Sequence, residues 1–175
     1  MIGLMDINTL EALKRVDKPQ LIRERNQNSF IRFKSIVAVN LLLIDPENRA
    51  LLLKRCNTGY DDGKYSMVAG HPGGNEALLD AVIREASEEV DIKLVENNIQ
   101  FKMVIHRKSE TQADPSRVDF FFEARQWNGT IQNKKPGLCS GLNWYTIHDL
   151  PKNLTPYIKF ALERWNSNPK CFEYV

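Results

Sequence analysis

The sequence predicts an α/β fold in which a mixed β-sheet lies between helices, and three observations predict it. Runs of β-branched and aliphatic residues recur at residues 35–45, 49–54, 65–69, 99–108, 117–127 and 142–147. Two segments carry helical periodicity instead, one from Leu79 to Val90 and one over residues 156–165. The two kinds do not alternate as regular βαβ units, so a wholly parallel sheet is not expected. A chain of 175 residues, 42% of them hydrophobic, can bury one substantial core. The division expected is an N-terminal helix and arm over residues 1–34 and one domain over residues 35–175.

Taken in order, DINTLEALKRV at residues 6–16 puts Ile7, Leu10 and Leu13 on one face of a short helix, with Asp6 or Asn8 as its cap. The polar, basic stretch that follows, with Pro19 inside it, reads as an arm. Three roles are open to it: packing on the body, covering a ligand, or joining a second copy in a homodimer. SIVAVNLLLID at residues 35–45 is rich in β-branched and aliphatic residues and reads as a buried strand. Pro46, Glu47 and Asn48 make a turn, and the chain returns over residues 49–54 as the second arm of a hairpin. After a loop at residues 57–63, a short strand over residues 65–69 leads into a glycine-rich segment. Two later strands flank the polar loop SETQADPS, and Asn128-Gly129 is a strong turn signal after the second. A last strand and an amphipathic helix presenting Ile158, Phe160, Ala161, Leu162 and Trp165 close the chain.

The chemistry concentrates in residues 70–92, GHPGGNEALLDAVIREASEEVDI. A helix there aligns Leu79, Val82, Ile83, Ala86 and Val90 as an apolar stripe. Glu85, Glu88 and Glu89, at i, i+3 and i+4, fall together on its flank. The stretch holds six acids (Glu76, Asp80, Glu85, Glu88, Glu89, Asp91) and one base, Arg84, placed to hold Glu88 or reach back to Glu76. Like charges on adjacent turns repel, and a divalent cation relieves them. Hard oxygen ligands suit Mg²⁺, with Mn²⁺ able to substitute. Gly70, Gly73 and Gly74 let backbone approach a phosphate or metal closely, and His71 stands beside them as a phosphate ligand or proton shuttle.

The spacing of Gly70, five residues, Glu76, seven residues, then Arg84-Glu85-Ala86-Ser87-Glu88-Glu89-Val90-Asp91-Ile92 resembles the Nudix box of the Nudix hydrolases. Its fixed polar positions arise by chance with a probability of roughly 10⁻⁷ per start site. One position departs from the box: Asp91 stands where the family has Gly, a place that serves the turn after the helix, and Asp tolerates the left-handed conformation such a turn uses. The resemblance implies an α/β/α sandwich and hydrolysis of a phosphoanhydride in a nucleoside diphosphate linked to another group, with a nucleoside triphosphate cut to NMP and pyrophosphate as the leading case. It implies Glu85 and Glu89 as principal metal ligands, Glu88 as a further ligand or water-activating base, and the Ala69 carbonyl in the coordination shell. Glu76 is then the partner of Arg84 and a further candidate for the shell. Exchanging base and ligand between Glu85 and Glu88 leaves the sequence unchanged, so their roles stay open.

Specificity lies outside the box. Trp144, Tyr157, Phe30 and residues 120–122 are aromatic candidates to stack on a base, although aromatics on strands are usually core. The oxidised-purine branch carries a Trp-Pro-Asp-Asp element where this chain has Thr155-Pro156-Tyr157-Ile158, which argues against that substrate. Glu110 or Asp114 offers an additional carboxylate in the loop between the late strands. Isopentenyl diphosphate isomerase resembles the fold but modifies the box, whereas this chain keeps all three helix glutamates. A non-catalytic nucleotide-sensing or interaction module is the alternative from another class.

The formal charge of +2 conceals a basic surround to the acidic box, with Lys54, Arg55, Lys64, Arg107, Lys108 and Arg117 near it or on neighbouring strands. That suits a small polyanion better than a nucleic-acid groove, for which a long basic stripe interleaved with aromatics is missing. Cys56, Cys139 and Cys171 include no CxxC pair and fit reduced thiols. No apolar run is long enough to span a bilayer, and MIGLMDINTL lacks the pattern of a leader, so a cytoplasmic location is expected.

Overall fold

The computed structural model describes residues 34–109, 115–168 and 170–174. The expected N-terminal helix and arm, Phe30, Glu110 and Asp114 lie outside them. The described chain runs β1 (Ser35–Leu43), β2 (Arg49–Arg55), β3 (Tyr65–Ser66), β4 (Val68–Gly70), α1 (Leu78–Val90), β5 (Ile99–Arg107), β6 (Ser116–Ala124), β7 (Cys139–Thr146), α2 (Pro156–Glu163) and β8 (Cys171–Tyr174), with one 3₁₀ turn at Glu96–Asn98. Five strands form a sheet in the order β4-β1-β6-β5-β8. Its β1–β6 and β5–β8 pairs are parallel and its other pairs antiparallel, so the sheet is mixed as expected. The remaining three strands form a small antiparallel sheet, β3-β2-β7.

The period of two in the central strands builds both cores at once. Val39, Leu41 and Leu43 of β1 and Leu51 and Leu53 of β2 enter one cluster with Ala81, Val82, Ala86 and Val90 of α1. Their neighbours Leu42, Ile44, Ala50 and Leu52 enter the other, with Ile158, Ala161 and Leu162 of α2. The two helices therefore cover opposite faces of the strands, giving the α/β/α arrangement. A strand buried on both faces has no polar alternation, which is why β1 reads as an apolar run broken within it only by the buried Asn40.

Two local readings need correction. Residues 35–54 do not form an extended hairpin: beyond the Ile44–Ala50 bridge, β1 and β2 diverge into different sheets. The turn itself is tight, with Asp45 accepting the Arg49 amide at 2.7 Å and Asn48 at φ 60°. Residues 65–69 are likewise not one strand, since Tyr65–Ser66 pairs with β2 whereas Val68–Gly70 pairs with β1. A strand that changes sheets is what brings the glycine loop to the start of α1. The carboxyl-terminal strand β8 carried no signal of its own, being four residues long with only Phe172 and Tyr174 against the core.

Helix α1 ends at Asp91, which takes the left-handed conformation, φ 62° and ψ 31°, while its amide bonds the Ser87 carbonyl. A side chain costs about 1 kcal/mol there relative to Gly. Asp91→Gly is therefore expected to raise Tm by about 2–4 °C and Asp91→Val to lower it. Calorimetry of the two variants checks this, because the Lys134 contact to Asp91 is exposed and 3.6 Å long and contributes little.

Candidate active site

The loop between β4 and α1 is fastened by Arg84. Its guanidinium donates two bonds to Glu76, from Nε at 2.8 Å and Nη2 at 3.0 Å, and one to the His71 carbonyl at 3.1 Å. Glu76 also accepts the Gly73 amide at 2.8 Å. These bonds, first from Arg84 and then from Gly73, hold the Glu76 carboxyl down at about 2, while Glu76 and Glu85 push the Arg84 guanidinium up. Arg84 meets Glu85 at 2.7 Å and Glu88 at 3.4 Å. Of the two partners open to it in the sequence, Glu76 is the principal one and Glu88 a peripheral one. Gly73, Gly74 and His71 are exposed around this loop.

Burial separates the three helix glutamates. Glu85 lies within the buried stripe of α1, 7% exposed, directly against Gly70. A Cβ at Gly70 would fall 1.8 Å from Glu85 Oε1, so this glycine supplies the space the carboxylate occupies. Glu89, one turn on, is largely buried and accepts the Ala69 amide at 3.2 Å. Burial is the main cause that raises its carboxyl to about 7, partly offset by Lys135 and the Ala69 bond. Glu88 is exposed.

Lys135 completes the site, and sequence reasoning missed it. Its Nζ stands 3.6 Å from Glu85 Oε2, 3.5 Å from Glu88 Oε2 and 3.7 Å from Glu89 Oε1. The position is built from backbone. The amides of Gln132 and Lys134 donate to the Val90 and Glu89 carbonyls at the end of α1, each at 3.0 Å. These bonds satisfy carbonyls that a helix end leaves open. Lys135 then accepts the Leu138 and Cys139 amides into a turn that enters β7. The surplus of acids in the box called for a cation, but the sequence held no sign that the cation would come from a loop so far along the chain.

Three hard carboxylates within reach of one another form a donor set of the kind that suits Mg²⁺ or Mn²⁺. Among the described residues no three metal-ligating side chains are gathered closely enough to hold an ion as they stand; the Lys135 ammonium stands among the three carboxylates, 3.5–3.7 Å from each. Beside it opens a cavity of about 200 Å³ whose lining includes Arg55, Ser66, Ala69, Glu89, Lys135 and Cys139.

Other expected residues go elsewhere. Phe121 and Phe122 are core, Trp144 stacks on Trp127, and Tyr157 is buried beneath the Arg107 guanidinium, 3.9 Å from its ring centre. Much of the basic surround is already paired: Arg107 with Asp119 at 2.6 Å, Lys64 with Asp61 at 2.6 Å, and Arg55 with Thr58 and the Tyr60 carbonyl. Cys56, Cys139 and Cys171 are all free thiols. No helix among the described residues is long and apolar enough to cross a membrane.

Comparison with known proteins shows the fold and the family. The MutT NUDIX hydrolase from Burkholderia pseudomallei is 25% identical, covering 74% of this chain and 97% of its own, with a TM-score of 0.67. The MutT protein from Methanosarcina mazei is 18% identical, covers 78% and 96%, and superposes with a TM-score of 0.65. The NUDIX domain of Shewanella oneidensis NrtR, solved as a complex with ADP ribose, is 18% identical over 91% of this chain and 96% of its own, with a TM-score of 0.60. Among curated proteins nothing matches. A model of the NUDIX domain matches residues 34–165, most of the chain, and the chain therefore belongs to the Nudix family.

Proposed function

We propose that this protein is a metal-dependent hydrolase of a phosphoanhydride bond in a nucleoside diphosphate linked to another group, with a nucleoside triphosphate cut to NMP and pyrophosphate as the leading substrate. The observation that carries the reading is that Glu85, Glu88 and Glu89 all come within 3.5–3.7 Å of one ammonium, that of Lys135, with Arg84 on the far side of Glu85 and Glu88. Mg²⁺, or Mn²⁺ in its place, supplies neutralisation of phosphoryl charge and a more acidic bound water. Glu85 and Glu89, the buried pair, are the ligands in this reading, with the Ala69 carbonyl beside them. Glu88, the exposed one, takes the proton from the attacking water in this reading, its contacts to Arg84 and Lys135 being long at 3.4 and 3.5 Å. Arg84 and Glu76 position Glu85 and the loop, and Gly70, Gly73, Gly74 and His71 line the approach of the phosphates.

A second reading rests on the Shewanella domain complexed with ADP ribose: a sensor that binds a nucleotide without turnover. The complete carboxylate set weighs against it, as it weighs against isomerase chemistry.

The test is phosphate and pyrophosphate release from nucleoside triphosphates, dinucleoside polyphosphates, ADP-ribose and nucleotide sugars, with Mg²⁺, with Mn²⁺ and with chelator. Cleavage of one class that stops with chelator is expected. Because proton and metal compete for Glu89, half-maximal rate should need more Mg²⁺ at pH 6 than at pH 8. Binding that raises Tm without turnover on any member would favour the sensor.

A further inference from the structure

Lys135 is built into the site rather than lying across it by chance. Backbone bonds from residues 132 and 134 to the last turn of α1 fix its Cα, and its amide is held by the Asn133 side chain at 3.1 Å. Its side chain then crosses to three carboxylates from three positions of one helix. Only one of these, Glu88, is exposed enough for water to solvate its charge. Glu85 and Glu89 are not; Glu85 also holds the Arg84 guanidinium at 2.7 Å, so the need for a further cation falls chiefly on Glu89, because a buried carboxylate without one is costly.

We infer that Lys135 is an internal counter-cation: in the metal-free protein its ammonium takes the place of the divalent ion, and the ion must evict it to bind. The inference rests on the proposed metal site and adds to it an occupant belonging to the chain. An ammonium and a divalent cation cannot share the point of convergence, since metal–oxygen bonds of about 2.0–2.1 Å draw the carboxylates inward. Eviction is local because the backbone anchor need not move. The freed side chain remains at the wall of the adjacent cavity, which Lys135 and Glu89 both line, where a substrate's phosphates would bring new negative charge. Lys135 is thus a positioning residue that keeps the carboxylate set together while no metal is present and lowers affinity for the metal while it does so.

The experiment uses the full chain and Mn²⁺ alone, titrated by electron paramagnetic resonance, for wild type, Lys135→Met, Lys135→Arg and Glu89→Gln. Lys135→Met should bind Mn²⁺ about tenfold more tightly than wild type, equivalent to about 1.4 kcal/mol, and Lys135→Arg should stay near wild type. In chelator Lys135→Met should melt below wild type, and saturating Mg²⁺ should abolish that difference. Equal or weaker Mn²⁺ binding by Lys135→Met would overturn the inference and leave the metal site standing, provided Glu89→Gln loses Mn²⁺. Failure of wild type and Lys135→Met alike to bind Mn²⁺ would overturn both.

Discussion

Glu85→Gln and Glu89→Gln should each lower kcat by about 10³-fold, a rise of about 4 kcal/mol in the barrier, with little loss of fold. Each change removes one unit of negative charge from the set that would hold the metal while keeping side-chain volume. Gln at 89 can still accept the Ala69 amide through its oxygen, so the 3.2 Å bond survives. Burial already works against the Glu89 carboxylate, whose proton is held up to about 7. In chelator at pH 8 the neutral variant should consequently melt no lower than wild type. Steady-state rates and melting curves measured on the same preparations separate the two effects; unchanged rates in both variants would remove these residues from the chemistry.

Gly70→Ala should cost about 10²-fold in kcat, of the size expected when a reacting group is misplaced by about 1 Å. The new Cβ would sit 1.8 Å from Glu85 Oε1 and 2.0 Å from its Cδ. The obstacle is one side chain, from Oε1 down to Cγ at 2.6 Å, so the fold can yield by turning the whole Glu85 side chain aside. A large kinetic effect with a small shift in Tm is therefore expected. Collapse of stability in step with activity would mean that Gly70 is kept for the backbone instead.

Glu85 also shows what the sequence conveys and what it withholds. Its place on α1 was legible, because a helix of 3.6 residues per turn fixes which residues share a flank. That the flank would be buried was not, because depth depends on Val68–Gly70 pairing with β1 and passing beneath the helix. Arg84 and Glu76 were legible for the same local reason, being two turns apart on one loop and helix. Lys135 was not, since its approach depends on loop amides finding the Val90 and Glu89 carbonyls. The core strands announced themselves by composition, but their division between two sheets did not: β1 and β2 are apolar on both faces, so no alternation marks which neighbour each one takes. The paired arginines and lysines make a similar point. Sequence counts charges, while partners such as Asp119 at 2.6 Å from Arg107 are set by strand register.

The parallel seam between β1 and β6 has a consequence for how the chain is made. Ser35 pairs with Ser116, 81 residues later, and the acidic helix lies in the interval. Closing so long a loop delays the central pairing relative to local turns and helices. On a ribosome adding about 5–20 residues per second, β1 waits about 4–16 s for its partner. During that time a strand apolar on both faces, SIVAVNLLL, is without one of its two sheet neighbours. Yield at high expression temperature should thus be limited by aggregation of nascent chains, and a holding chaperone that covers this strand should raise the recovery of active protein without changing its final stability.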